Sequence, residues 1–399
     1  MGQPGRDGSF YLSARRRYSP HLNHQRRREG TMSIIINRRR FLQTGSLAIA
    51  AGTFATPSGR AFAQSPGELR VMVYGGDTGN AMIEAFTKPF EAETGIKVNA
   101  VTDQIDKSQI ELMVTTNSVS VDLGALPYSE AIDLANKSVI EKIDYSIWKD
   151  SELSAIADFA RDPHSVGTFV YAYVMIYSTE KYGSNVAEPK TWSDFWDVEK
   201  FPGARSLVAG QWGSEGPWEE ALLADGVAPD ALYPLDLDRV FSSLDKIKPH
   251  IRKWWGSGSE IQQMLHDKTV DLANCYDGRA NLLIDQGTPI RINRKLSKYT
   301  WDSWVIPKGS PNASNAQRFI EFASRAERQA AFANLIAFGP TNLNAYNHMP
   351  KELGQKLASH PDNLRDSVRV NLKWYAEVGP DGTSNIERLI QRWNEWILQ

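Results

Sequence analysis

From residue 69 onward, apolar and polar positions alternate between two rhythms, one of strands and one of helices. Leu69-Arg-Val-Met-Val-Tyr74 is an apolar, β-prone run, broken at once by Gly75-Gly-Asp-Thr-Gly79. Met82, Ile83, Phe86 and Phe90 then recur at helical spacing, with Asp77 or Thr78 placed to cap the first turn. Pro89 falls inside that helix, where a missing N–H favours a kink. Thr94-Gly95 closes the helix and 96–101 is the next strand. A β-α-β opening predicts a parallel sheet with a right-handed connection. Helices are predicted over 105–115 and 129–137, on either side of a short strand at 121–126. The run 166–177 is almost continuously apolar, as in a buried strand long enough to pass between two lobes. A capped helix at 190–196, a strand at 205–209 and helices near 218–224 and 238–248 follow. A second strand-helix-strand unit covers 269–276, 278–286 and 289–293. Then come a strand at 301–307, helices at 313–324 and 328–335, and an amphipathic helix at 384–398. The pattern predicts an α/β protein of two lobes with the chain crossing between them more than once.

The first 63 residues break this pattern. The whole chain of 399 residues is nearly neutral, yet residues 1–63 carry a net charge of +9 and the body −11. An acidic body argues against nucleic acid as its partner. Residues 1–31 are Arg-, Gly- and Ser-rich without periodicity, so no structure is expected there, and Met32 offers a second start. Asn37-Arg-Arg-Arg-Phe-Leu-Gln43 resembles the twin-arginine export motif. A mildly apolar stretch, 45–56, and Ala61-Phe-Ala63, a small-x-small cleavage signature, complete a signal peptide over 32–63. The apolar stretch falls short of the ~20 residues needed to cross a bilayer. The expectation is export to the periplasm with cleavage near Ala63.

Composition changes the picture mainly by exclusion. With 41% hydrophobic and 23% charged residues, the body is globular and not disordered. One cysteine excludes an intramolecular disulfide and a multi-Cys zinc site, and the apolar neighbours of Cys275 fit a buried thiol better than a nucleophile. None of the five body histidines forms a metal-binding pair at recognised spacing. Gly256-Ser-Gly-Ser-Glu260 is not a nucleophile elbow, because Gly258 occupies the central position. Residues 75–79 match neither phosphate-binding fingerprint. No catalytic, metal or cofactor constellation is legible, which favours a binding protein over an exported hydrolase.

Several phrases carry a family resemblance. Phe86-Thr-Lys-Pro-Phe-Glu-Ala-Glu-Thr-Gly-Ile-Lys-Val98 is followed in order by Trp254-Trp-Gly-Ser-Gly258 and Val270-Asp-Leu-Ala-Asn-Cys-Tyr-Asp-Gly-Arg279. Trp301-Asp-Ser-Trp-Val-Ile-Pro-Lys-Gly-Ser-Pro311 and Phe338-Gly-Pro-Thr-Asn342 complete the series. Over residues 67–399 the chain resembles the extracellular solute-binding proteins of bacterial ABC importers, in their polyamine- and opine-type branch. The resemblance implies a type II periplasmic-binding-protein fold: two α/β lobes, each a mixed, mainly parallel sheet flanked by helices, with ligand in the cleft. Lobe 1 is expected at 67–172 plus about 303–345, and lobe 2 at about 173–302 plus 346–399. It further implies a monomer without cofactor, a small-molecule amine or zwitterion as ligand, and an inner-membrane ABC permease as partner. Closure over the ligand would be a population shift, with no ligand bond changed. A ferric-ion binder of the same fold is the alternative; such sites favour adjacent tyrosines, and the body has no Tyr-Tyr pair.

The candidate ligand contacts follow from both readings. Tyr74, Gly76, Asp77 and Thr78 end a strand at a helix start, where open α/β sheets bind ligands. Asp302 matches the family's amine-binding aspartate, and a carboxylate suits an ammonium through charge-assisted hydrogen bonds. Trp255, Tyr276 and Trp301 are candidate aromatic walls, with Tyr128 and Trp212 as further candidates. Asp277 and Arg279 sit at a helix start, and a guanidinium there suits a carboxylate. Polyamine binders of the family place an acidic pair where this chain has Gly213 and Gly216, which leaves Glu215 as the nearest acid. The expected ligand is a polyamine, opine or amino-acid derivative, and a site with Asp302 and Arg279 would prefer a zwitterion or amino-acid derivative to a plain diamine.

Overall fold

The computed structural model describes residues 68–399 except 104, 184 and 185. The leader, with its start, export and cleavage readings, lies outside the described residues. The first helix shows how local chemistry is accommodated. It runs as an α-helix at Gly76–Met82, a π-helical turn at Ile83–Thr87 and an α-helix at Lys88–Thr94. Pro89 cannot donate to the carbonyl four residues back. The wider turn just before it, closed by the Lys88 N–H on the Ile83 carbonyl, takes up the mismatch without ending the helix.

Among the described residues eleven strands form one sheet. They are β1 (Glu68–Met72), β2 (Lys97–Val101), β3 (Leu123–Pro127), β4 (Arg161–Asp162), β5 (Ser165–Ser178) and β6 (Arg205–Val208). The rest are β7 (Ile251–Trp255), β8 (Leu272–Tyr276), β9 (Ile290–Val305), β10 (Gly339–Pro340) and β11 (Val368–Arg369). The order is β2-β1-β3-β9-β5-β8-β6-β7, with β4 and β10 beside β5 and β11 beside β9. β1 is parallel to β2 and β3, and β6 is parallel to β7 and β8. Two parallel flanks are thus joined through β5 and β9, which are antiparallel to each other and long enough to belong to both.

The register of this central pair places the chemistry. Phe169, Tyr171 and Tyr173 lie opposite Asp302, Thr300 and Lys298. Side chains alternate along a strand, so these six share one face. Between the pairs Tyr173–Lys298 and Met175–Asn293, residues 294–297 of β9 oppose Val174 alone, and Leu296 adopts φ 56°. This large bulge bends both strands where the flanks meet.

One sequence expectation is corrected here, and two elements come in addition. Residues 289–293 and 301–307 are not separate strands but parts of the single β9, whose polar middle, Asn293-Arg-Lys-Leu-Ser-Lys298, interrupts the apolar pattern. The polar residues are tolerated because they are paired: Arg294 lies 3.2 Å from Asp277, and buried Lys298 lies 3.1 and 3.0 Å from Glu219 and Glu220. β7 and the helix Gly258–His266 were not anticipated. β7 is an edge strand with exposed Arg252 and Lys253, charges that guard an open edge and hide the strand pattern.

Candidate functional site

The carboxyl ends of β3 and β8 meet the central pair at Asp302 of β9 and Tyr173 of β5, and α/β sheets bind ligands at such strand ends. Tyr74 follows β1, Trp255 ends β7 and Tyr276 ends β8. β6 runs into a short 3-10 segment, Gly210–Glu215, that delivers Glu215. Gly213 within it has φ 61°, and a Cβ there would come within 2.6 Å of Ile386, so only glycine fits. The segment is held from behind. The Trp218 indole donates to the Gly213 carbonyl at 2.6 Å, and the Lys298 ammonium donates to the carbonyls of Glu215 and Gly216.

Two carboxylates and four phenols form the site. The Tyr74 hydroxyl donates to Asp302 Oδ2 at 2.5 Å, while Asp302 Oδ1 is buried without a hydrogen-bond partner. Tyr171 donates to Glu215 Oε1 at 2.8 Å, and Tyr276 donates to Oε2 at 3.1 Å. Tyr173 also donates to Oε2, and its hydroxyl lies 2.9 Å from that of Tyr276. The rings of Tyr173, Tyr276 and Trp255 form one cluster, with Tyr173 4.7 Å from Tyr276 and stacked on Trp255 at 6.2 Å, and Trp255 5.5 Å from Tyr276. Trp255 is fully buried and donates its indole N–H to Asn274.

Burial pushes the Asp302 carboxyl up to about 7; the Tyr74 hydrogen bond pulls against this, and the negative Glu215 and Glu130 add to it. Burial, reinforced by nearby carboxylates, holds all four phenols well above their ordinary range, so they are donors at neutral pH. Among the described residues no Lys or Arg side chain pairs with the Asp302 or Glu215 carboxylate. An uncompensated buried carboxylate with a free acceptor oxygen favours a cationic donor.

Of the residues expected from sequence, Tyr74, Tyr276 and Asp302 are brought together, with Trp255 as the support behind Tyr173. The others do not join them. Trp301 alternates to the opposite face of β9, where it stacks on Tyr128 at 4.8 Å, and the Tyr128 hydroxyl is spent on Asp162 at 3.0 Å. Asp277 is buried with both oxygens taken, one by the Ala172 N–H at 3.1 Å and one by Arg294, so it ties β5 to β9. Arg279 is exposed and donates to Gln262 at 2.8 Å. Gly76 and Asp77 are exposed and Thr78 is half-buried; neither Asp77 nor Thr78 caps its helix, and Gly76 makes the turn with φ 64°. Trp212 is 48% exposed on the segment that carries Glu215. Cys275 is buried, its thiol pushed up to about 12 by burial, as an inert core residue requires. Tyr171 and Tyr173 were missed. Their signal is the alternation Tyr171-Ala-Tyr173 inside an apolar run, which marks one face without saying what that face meets.

A profile of the bacterial extracellular solute-binding proteins matches residues 85–361, more than half of the chain. The chain belongs to this family. The solute-binding protein is 32% identical over 336 residues to the gamma-aminobutyric acid-binding protein of Pseudomonas aeruginosa, covering 83% of this chain and 91% of the relative. It superposes with a TM-score of 0.74 on an ABC transporter substrate-binding protein from Bradyrhizobium japonicum, at 31% identity over 83% of this chain and 99% of the other. It superposes at 0.66 on a periplasmic binding protein of A. tumefaciens R10 in complex with agropinic acid, at 27% identity over 84% and 100% of the two chains. The two-lobe α/β fold expected from the sequence is the fold of these relatives, and at the level of the family the activity is solute capture and not catalysis.

Proposed function

We propose that this solute-binding protein captures an amine-bearing small molecule in the periplasm and delivers it unaltered to the inner-membrane permease of an ABC importer. The observation that carries the reading is Asp302 Oδ1, a buried acceptor without a hydrogen-bond partner, on a carboxylate with which no Lys or Arg side chain pairs among the described residues. A primary ammonium supplies both the charge and the missing hydrogen bonds, in surroundings where charge-assisted bonds gain strength from the exclusion of water. Tyr74 orients the carboxylate, and the tyrosine rings pack the ligand's alkyl chain. A relative named as a gamma-aminobutyric acid-binding protein supports the class of ligand, since that molecule carries a primary ammonium.

In this reading Asp302 belongs with the β1–β3 flank and Glu215, Tyr276 and Trp255 with the β6–β8 flank. The bulge at 294–297 of β9 is the hinge. Ligand that touches both flanks favours the closed form, which the permease recognises. The twin-arginine leader takes the monomeric protein to its compartment. The test is thermal unfolding and small-angle scattering with 4-aminobutyrate, 1,4-diaminobutane and butyrate, together with mass spectrometry of any ligand that co-purifies. An amine-bearing probe should raise the melting temperature and compact the protein, whereas butyrate should not. Stabilisation by butyrate alone would overturn the proposal.

A further inference from the structure

The surroundings of Glu215 pose a question that amine capture leaves open. Three phenol donors, from Tyr171, Tyr173 and Tyr276, converge on one carboxylate, and among the described residues no Lys or Arg side chain pairs with it. A constellation of this kind is a seat for a carboxylate, and here the chain's own side chain sits in it. The backbone of Glu215 is pinned through its carbonyl by Lys298, yet the residue is only half-buried and so reaches solvent, on the segment that also carries the exposed Trp212. The seat adjoins the amine position. The Tyr171 hydroxyl lies 2.8 Å from Glu215 Oε1 and close enough to Asp302 to favour its ionised form. Asp302 Oδ1 is itself buried and without a hydrogen-bond partner. One acceptor for an ammonium and one three-donor seat for a carboxylate are therefore a single side chain apart.

We propose that the phenol seat is the ligand's carboxylate subsite, and that the Glu215 side chain is a tethered stand-in that the ligand's own carboxylate displaces. The ligand class is then an amino acid with ammonium and carboxylate at opposite ends of a short chain, which rests on the reading of Asp302 as the amine site. The stand-in keeps three buried hydroxyls satisfied while the site is empty. It also lowers apparent affinity by the fraction of time it holds the seat. A diamine brings no carboxylate, so it gains nothing from removal of the stand-in.

The test is calorimetric titration of the full-length protein and its Glu215→Ala and Glu215→Gln variants with 4-aminobutyrate and 1,4-diaminobutane. Glu215→Ala should bind 4-aminobutyrate at least tenfold more tightly than the wild type and bind 1,4-diaminobutane no more tightly. Glu215→Gln, uncharged but of the same shape, should fall between, and it carries the comparison if the alanine variant does not fold. Weaker binding of both probes by both variants would make Glu215 a direct partner of an ammonium and overturn the proposal. A second readout needs no amine: millimolar propionate, the glutamate side chain set free, should raise the melting temperature of Glu215→Ala and leave the wild type unchanged. No shift in the variant would also overturn it. Asp302→Asn separates the two readings. If it binds both amines as the wild type does, or if neither amine binds the wild type, the amine reading fails and the propionate result alone decides the stand-in. If binding depends on Asp302 but Glu215→Ala gains nothing, only the stand-in fails.

Discussion

Glu215 and the pair Glu219–Glu220 lie within one short stretch of chain and meet opposite surroundings. Glu219 and Glu220 are buried around the Lys298 ammonium, and Glu219 also accepts the hydroxyls of Tyr233 and Tyr375. That cluster carries its own cation. Glu215 and Asp302 share only phenols, and one Asp302 oxygen has no partner. Buried carboxylates are therefore not equivalent indicators of function. Carboxylates that share a cation inside the protein hold the fold together, and carboxylates left without one mark where charge must come from outside. Lys298 joins the two regions, because the ammonium that neutralises one also holds the backbone that presents Glu215 in the other.

The comparison breaks most visibly at Lys298. Lys298→Met leaves two buried carboxylates without their cation, and removing one partner of such a pair costs about 3–5 kcal/mol. Urea unfolding should show a loss of that order, and a loss below about 1 kcal/mol would mean that the Lys298 cluster is not what stabilises this region. Next in size is the pH dependence that Asp302 imposes. Its carboxyl, raised to about 7 mainly by burial, holds a proton that the unfolded chain releases near its ordinary value of 3.8. That proton adds stability to the empty protein which is fully present below about pH 4 and is lost as pH rises through about 7, by up to about 4 kcal/mol. Unfolding of wild type and Asp302→Asn at pH 4, 6 and 8 isolates the slope, which the asparagine variant should lack. The smallest effect is expected at the neighbouring residue on the other face. Trp301→Phe should change ligand affinity by less than about twofold and stability by about 1 kcal/mol or less, since both rings stack on Tyr128. A loss of affinity comparable to that of Asp302→Asn would refute the assignment of the two faces.

Much of this was legible in the sequence, for physical reasons that differ from place to place. The run 166–177 announced β5 because a strand buried on both faces is apolar at every position. The same fact hid Tyr171 and Tyr173, since among buried neighbours a phenol that serves a carboxylate looks like one that fills a core. β9 was split because Arg294 and Lys298 read as loop residues; their acidic partners Asp277 and Glu219 lie 17 and 79 positions away in the chain. Asp302 and Tyr276 were found through family phrases, which give position. Asp277, Arg279 and Trp301 lie in or beside the same phrases and point elsewhere, because side-chain direction depends on strand alternation and on where a helix begins.

The most direct measurement is the number of protons exchanged when 4-aminobutyrate binds, obtained by calorimetry at pH 6.5 in buffers of different ionisation enthalpy. An ammonium seated on Asp302 favours the ionised carboxylate, so the wild type should release a fraction of a proton, and its observed heat should change with buffer. Asp302→Asn should lose at least a hundredfold in affinity while remaining folded. Tight binding by the wild type with no buffer dependence, retained in Asp302→Asn, would show that the amine is held somewhere else.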